Sequence, residues 1–246
     1  MSTKSLFCFG LAALSLSLAA SAQNPSNLDT VLHQLDDASK NFRSAQADFR
    51  WDVYERVVKE TTSQCGVIYF ERKGDATEMG AKVAPAPTQS CNGEASATAD
   101  GTRTLQYKAG ELQMFEPKTD HLTILRAGNN QALYESFLTL GFGGSGKDLA
   151  KAWNITDQGT DVLKDGAKDV TTTKLDLVAK DPANRNTFTH VTIWVDPTQG
   201  VSLKQQFFTP AGDYRTTYFD HIRVNQRVNE GAFAIKTDKK TQIDRR

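Results

Sequence analysis

Apolar residues recur at helical spacing early in the chain, at Leu28, Val31, Leu32, Leu35, Ala38 and Phe42, with Asp29, Gln34, Asp36, Asp37 and Lys40 between them. The spacing predicts one amphipathic helix that must cover something. The period then drops to two: Ala47, Phe49, Trp51 and Val53 alternate with Gln46, Asp48, Arg50, Asp52 and Tyr54, which reads as a half-buried strand. Residues 66–72, 77–83, 103–107, 111–115 and 122–125 read as further short strands, punctuated by Lys73-Gly74-Asp75, a tight hairpin at Ala109-Gly110, and 117–120. The second half repeats the theme at 170–179, 188–195, 203–209 and 214–224, with turns at Asp196-Pro197, Gln199-Gly200 and 210–213. Between the halves, Leu133, Phe137 and Leu140 share a helical face within 130–140, and a second short helix is expected over 148–153. Antiparallel strands with about three amphipathic helices predict an α+β fold, mainly β, in which one curved antiparallel sheet forms an incomplete barrel covered by the helices. No repeat of constant period and no second domain are visible.

The N-terminus carries Lys4, an apolar run over 6–18, and Ala20-Ser21-Ala22, the small-x-small pattern at which a signal peptidase cuts. Residues 1–22 are therefore expected to be a signal peptide cleaved after Ala22, and 23–246 a single domain in the periplasm. Cys8 sits inside the apolar run without a lipid-attachment box around it. Export leaves Cys65 and Cys91 in an oxidising compartment, where they are expected to form a disulfide enclosing a Pro/Ala/Gly-rich segment. Two free thiols are the alternative.

The charge balance, 29 basic against 29 acidic residues in 246, argues against a nucleic-acid binder that works by neutralising phosphates. Three cysteines without CxxC spacing, and His33, His121, His190 and His221 standing apart, form no metal motif. Gly141-Phe142-Gly143-Gly144-Ser145-Gly146-Lys147-Asp148 imitates a phosphate loop, but Asp148 replaces the hydroxyl that would hold Mg²⁺, and no strand precedes it. The plainer reading is a flexible loop between helices, with Asp148 favoured at a helix start. There is no G-x-S-x-G elbow, and carboxylates such as Asp176 are too common to mark a catalytic pair. The expectation is a protein without cofactor, metal or enzymatic activity.

The succession of a helix ending in Phe42, an alternating strand, Gly66-Val67-Ile68-Tyr69-Phe70-Glu71-Arg72, an Asp100-Gly101 turn, Leu138-Thr139-Leu140-Gly141-Phe142-Gly143-Gly144-Ser145 and Trp194-Val195-Asp196-Pro197 resembles the periplasmic lipoprotein-carrier (LolA-like) family. The resemblance implies an incomplete barrel closed by helices and a monomer that carries acylated lipoproteins. It also implies loading by an inner-membrane ABC-type exporter and delivery to an outer-membrane acceptor. Arg72 matches the family's arginine that ties the helical lid shut. Lys73-Gly74 stands where typical members have proline, and the cysteine pair departs from the simplest carriers, so a lipid-binding or lipoprotein-sensing relative of the same fold with other cargo stays open, with an exported hydrolase as the more remote alternative.

An acyl chain of about sixteen carbons gains ~0.8 kcal/mol per CH₂ on leaving water, on the order of 13 kcal/mol if wholly buried, so a carrier needs an internal pocket. Phe49, Trp51, Ile68, Phe70, Leu105, Tyr107, Leu112, Met114, Leu122 and Ile124 are the candidate lining. Alternation fixes only their relative direction, so some are expected to face outward. Phe137, Leu138 and Leu140 are expected to plug the mouth, with Arg72 hydrogen-bonding lid carbonyls.

Overall fold

A computed structural model describes residues 28–85, 91, 93–126, 137 and 140–246. The expected signal peptide, Leu133 and Leu138 lie outside the described residues. Among the described residues, twelve strands form one open sheet: β1 (Ser44–Glu55), β2 (Glu60–Lys73), β3 (Ala76–Pro85), β4 (Arg103–Lys108), β5 (Glu111–Glu116), β6 (His121–Arg126), β7 (Trp153–Asp165), β8 (Lys168–Ala179), β9 (His190–Asp196), β10 (Val201–Phe208), β11 (Tyr214–Val224) and β12 (Gln242–Arg245). Their order is β12-β6-β5-β4-β3-β2-β1-β11-β10-β9-β8-β7. Every neighbouring pair is antiparallel except β12, which runs parallel to β6. This is the incomplete barrel the pattern predicts, a curved sheet whose edge strands do not pair with each other.

Pairing fixes the two faces. Ala45 stands opposite Phe70 and Val224, and Phe49 opposite Gly66 and Phe219, so the odd positions of β1 share a face with Phe70, Ile68 and Phe219. That inner face buries Ala45, Ala47, Phe49, Phe70, Met79, Ala81 and Val83 in one cluster. A second cluster joins Leu175, Leu177, Val191, Ile193 and Val195 to Val31 and Leu35 of helix α1 (Leu28–Asn41). Helix α2 (Gly93–Thr98) lies on the outer face, where Ala97 meets Val67 and Tyr69. Helix α3 (Gly146–Ala152) is capped by Ser145, whose hydroxyl accepts from the Asp148 amide at 3.0 Å.

Three readings are corrected. The second short helix, expected over 148–153, spans Gly146–Ala152, and Trp153 begins the edge strand β7, which pairs along its length with β8. The glycine cluster is not a loose loop. The Gly141 carbonyl accepts from the Ser202 amide at 2.6 Å, and the Gly143 amide donates to the Gly200 carbonyl at 3.2 Å. Gly141 and Gly143 hold φ of +77° and +76°, and a Cβ there would collide with Ser202 Oγ and the Phe42 ring. The polar C-terminal stretch, in which no strand is predicted, crosses the outer face, sets Phe233 on Tyr69 and ends in β12.

The Ala109-Gly110 hairpin is as predicted: both residues take positive φ, and Lys108 pairs Glu111 across them. Cys65 and Cys91 form a disulfide, with Cα atoms 5.7 Å apart.

Candidate functional site

Between the inner faces of β1–β4 and β10–β11 lies an apolar cavity of about 230 Å³, lined by Phe49, Trp51, Ile68, Phe70, Met79, Ala81, Val83, Leu105, Phe137, Gln205, Thr217 and Phe219. Six of these are candidates from the sequence: Phe49, Trp51, Ile68, Phe70 and Leu105 as lining, and Phe137 as part of the plug. Alternation places the five lining candidates on one face because the β1–β2, β2–β3 and β3–β4 registers run without interruption through this region. Tyr107 is buried in the same cluster and Leu112 packs against it, so both build the wall behind the cavity without lining it. Met114 stands opposite Leu105 on the inner face, half-buried, outside the lining.

Leu122 and Ile124 are corrected. Leu122 pairs Phe115 and Ile124 pairs Gln113, whereas the inner face of β5 carries Leu112 and Met114. Both side chains therefore face outward, and Leu125 takes the inner position opposite Leu112. Both are nonetheless buried, at 6% and 5% exposure, which is why apolarity alone misdirects them.

Met79, Ala81 and Val83 complete the floor and are absent from the sequence-derived set, although their alternation within β3 carried the signal. Gln205, Thr217 and Phe219 come from strands distant in sequence, and only the β1–β11 and β10–β11 pairings bring them in. Among the described residues, no ionisable side chain lines the cavity. Its apolar lining can remove hydrocarbon from water.

One end is closed by the segment around Phe142. This ring stacks on Phe70 at 4.2 Å and meets Phe219 edge-on at 4.8 Å. Leu140, 2% exposed, joins the α1 cluster, and its carbonyl accepts from Gln205 Nε2. Phe137 bounds the cavity on another side and packs edge-on against Trp153 and Phe188 at 5.6 and 5.5 Å. Leu138 lies outside the described residues.

Arg72 ties these pieces together. Its Nη1 donates to the Ser39 carbonyl and its Nη2 to the Gly143 carbonyl, each at 2.6 Å. Ser39 lies in the last turn of α1, where carbonyls lack helical partners and the dipole favours a cation. One planar fork thus joins β2, the end of α1 and the glycine segment, with geometry that lysine lacks. The guanidinium also sits 5.7 Å from the Phe42 ring centroid.

No protein-family model and no curated protein matches the sequence. Solved structures do. An uncharacterised conserved protein from Thermus thermophilus matches at a TM-score of 0.50 with 11% identity, covering 89% of this chain and 98% of that one. A putative outer membrane lipoprotein-sorting protein domain from Vibrio parahaemolyticus matches at 0.42 with 11% identity, covering 84% and 97%. Lipoprotein LppX from Mycobacterium tuberculosis matches at 0.42 with 13% identity, covering 82% and 97%. At these identities the likeness is one of fold.

Proposed function

We propose that this chain is a periplasmic, non-enzymatic carrier that holds the acyl chains of lipoproteins in the inner-face cavity and shuttles them from the inner to the outer membrane. In this reading it works as a monomer between an inner-membrane ABC-type exporter and an outer-membrane acceptor. The observation that carries the reading is an apolar hollow, without an ionisable side chain among its described lining residues, beside a segment that a single arginine latches.

In the latched state the hollow, at about 230 Å³, is smaller than the ~300–1,000 Å³ usual for ligand pockets. Loading therefore requires the Phe137 and Phe142 segments to swing away and the Arg72 hydrogen bonds to break. The bound state is then strained relative to the empty one, so transfer to a more apolar acceptor runs downhill.

Native mass spectrometry of the protein drawn from an envelope extract tests this. A co-purifying acyl-peptide mass supports lipoprotein cargo, a free lipid mass points to a lipid carrier of the same fold, and a bare chain contradicts both.

A further inference from the structure

The inner face of the sheet changes character along one cross-strand row. Pairing aligns Ile193 of β9, Gln205 of β10, Thr217 of β11 and Trp51 of β1, and the last three of these line the cavity. The neighbouring inner row toward the latch is apolar, with Phe219 opposite Phe49. A hollow meant for bare hydrocarbon is better lined by leucine or valine, because a buried amide or hydroxyl without a hydrogen-bond partner is costly. Gln205 is nonetheless 7% exposed.

In the closed state its partner is a carbonyl of the chain itself. Gln205 Nε2 donates to the Leu140 carbonyl, and on the same strand the Ser202 amide donates to the Gly141 carbonyl at 2.6 Å. The Ser202 hydroxyl is fully buried against Gly141 and has no hydrogen-bond partner among the described residues. β10 thus turns three donors toward one short backbone stretch, and two of them hold its carbonyls. When that stretch swings aside for loading, the donors lose their acceptors at the border of a hollow filled with hydrocarbon. A donor left unpaired there is penalised, and a carbonyl on the cargo relieves it.

We propose that Gln205 and Thr217, with Ser202 beside them, form a subsite that recognises the ester linkage of an acyl chain. The ester carbonyl replaces the Leu140 carbonyl on Gln205 Nε2, the Thr217 hydroxyl on the adjacent strand offers a second donor, and the hydrocarbon lies over Phe49, Phe70 and Phe219. A neutral ester suits these neutral donors. A carboxylate does not, because its unpaired burial costs far more and no ionisable side chain stands among the described lining residues to pair with it. The inference rests on the carrier reading, and it adds that the site reads the linkage as well as the chain.

The test titrates the full chain with two probes: a fluorescent polyene fatty acid as its methyl ester, and diphenylhexatriene, a hydrocarbon without polar atoms. Gln205→Leu also releases the Leu140 carbonyl, which shifts the closed state for both probes alike, so the difference between probes isolates the ester contact. Relative to diphenylhexatriene, Gln205→Leu should weaken ester binding by about fivefold or more. Thr217→Val, which keeps the side chain's volume, should do so by about twofold, and it decides the matter if Gln205→Leu does not fold. Equal changes for the two probes make the glutamine a structural tie only and overturn the subsite, while the carrier stands. A native chain that binds neither probe contradicts the carrier reading instead. Competition for the bound ester by a diacylglyceryl-cysteine lipopeptide, and separately by a phosphatidylethanolamine, distinguishes the two sources of such esters: displacement by either supports the subsite, and displacement by neither overturns it.

Discussion

Arg72 reaches the Gly143 carbonyl at 2.6 Å, across 71 positions of sequence, and with its other nitrogen holds the end of α1. The empty, closed state is thereby favoured by two charge-assisted hydrogen bonds, each worth about 1.5–3 kcal/mol. In the carrier reading this preference is what drives release.

Arg72→Leu should therefore still accept cargo but fail to pass it on, because the closed empty state loses the contacts that favour it. Thermal stability should also fall, by an amount equivalent to about 2 kcal/mol. An acceptor-release assay checks this, and normal transfer would count against the latch.

The glycine segment is built for one backbone shape. Gly143→Ala puts a side chain where φ is +76° and the Phe42 ring already lies. We expect a loss of about 1–3 kcal/mol from strain alone, read as a lower urea midpoint. Proteolysis should also begin in the segment that the latch holds. An unchanged midpoint would mean that the segment yields freely.

The disulfide closes a sequence separation of 26 residues. The doubly substituted chain C65S/C91S should lose about 3 kcal/mol, because its unfolded state regains the freedom of the loop. Denaturation of native and variant chains measures the difference. Fatty-acid binding should persist, since Cys65 lies on the outer face and is no part of the cavity lining.

Burial, followed by the carboxylates of Glu230, Glu78 and Glu71, pushes the Tyr69 hydroxyl up to about 12. Between pH ~10, where an unfolded tyrosine titrates, and about 12, the folded chain keeps a proton that the unfolded chain releases. Stability is therefore full below that window and falls as pH rises through it. Tyr69→Phe should flatten this alkaline slope while keeping the ring contact with Phe233, and comparing urea midpoints at about pH 9 and about pH 11 tests it.

The strands that bury one face were legible because alternation survives in them; β1 with Ala47, Phe49, Trp51 and Val53 is the clearest case. β7 was not legible. It is an edge strand whose register shifts between Asp157 and Thr160, and polar residues occupy most of 154–161. A bulge of this kind destroys the period that a strand reading relies on. Leu122 and Ile124 show a different limit: apolar residues are buried on the outer face as well, so hydrophobicity in β6 does not say which side faces the cavity. Arg72 was readable only through the family resemblance, since a charge ending an apolar row is common and its partners lie far along the chain. Gln205, Thr217 and Phe219 needed the sheet order itself.

The most direct measurement is titration of the purified chain with the fluorescent fatty acid, set against Ala81→Leu. Ala81 is 3% exposed on the cavity floor, and the larger side chain would fill the hollow without touching the latch. The account predicts saturable binding by the native chain and a loss of about tenfold or more in the variant, with thermal stability maintained. Equal binding by the two proteins, or none by the native chain, would contradict it.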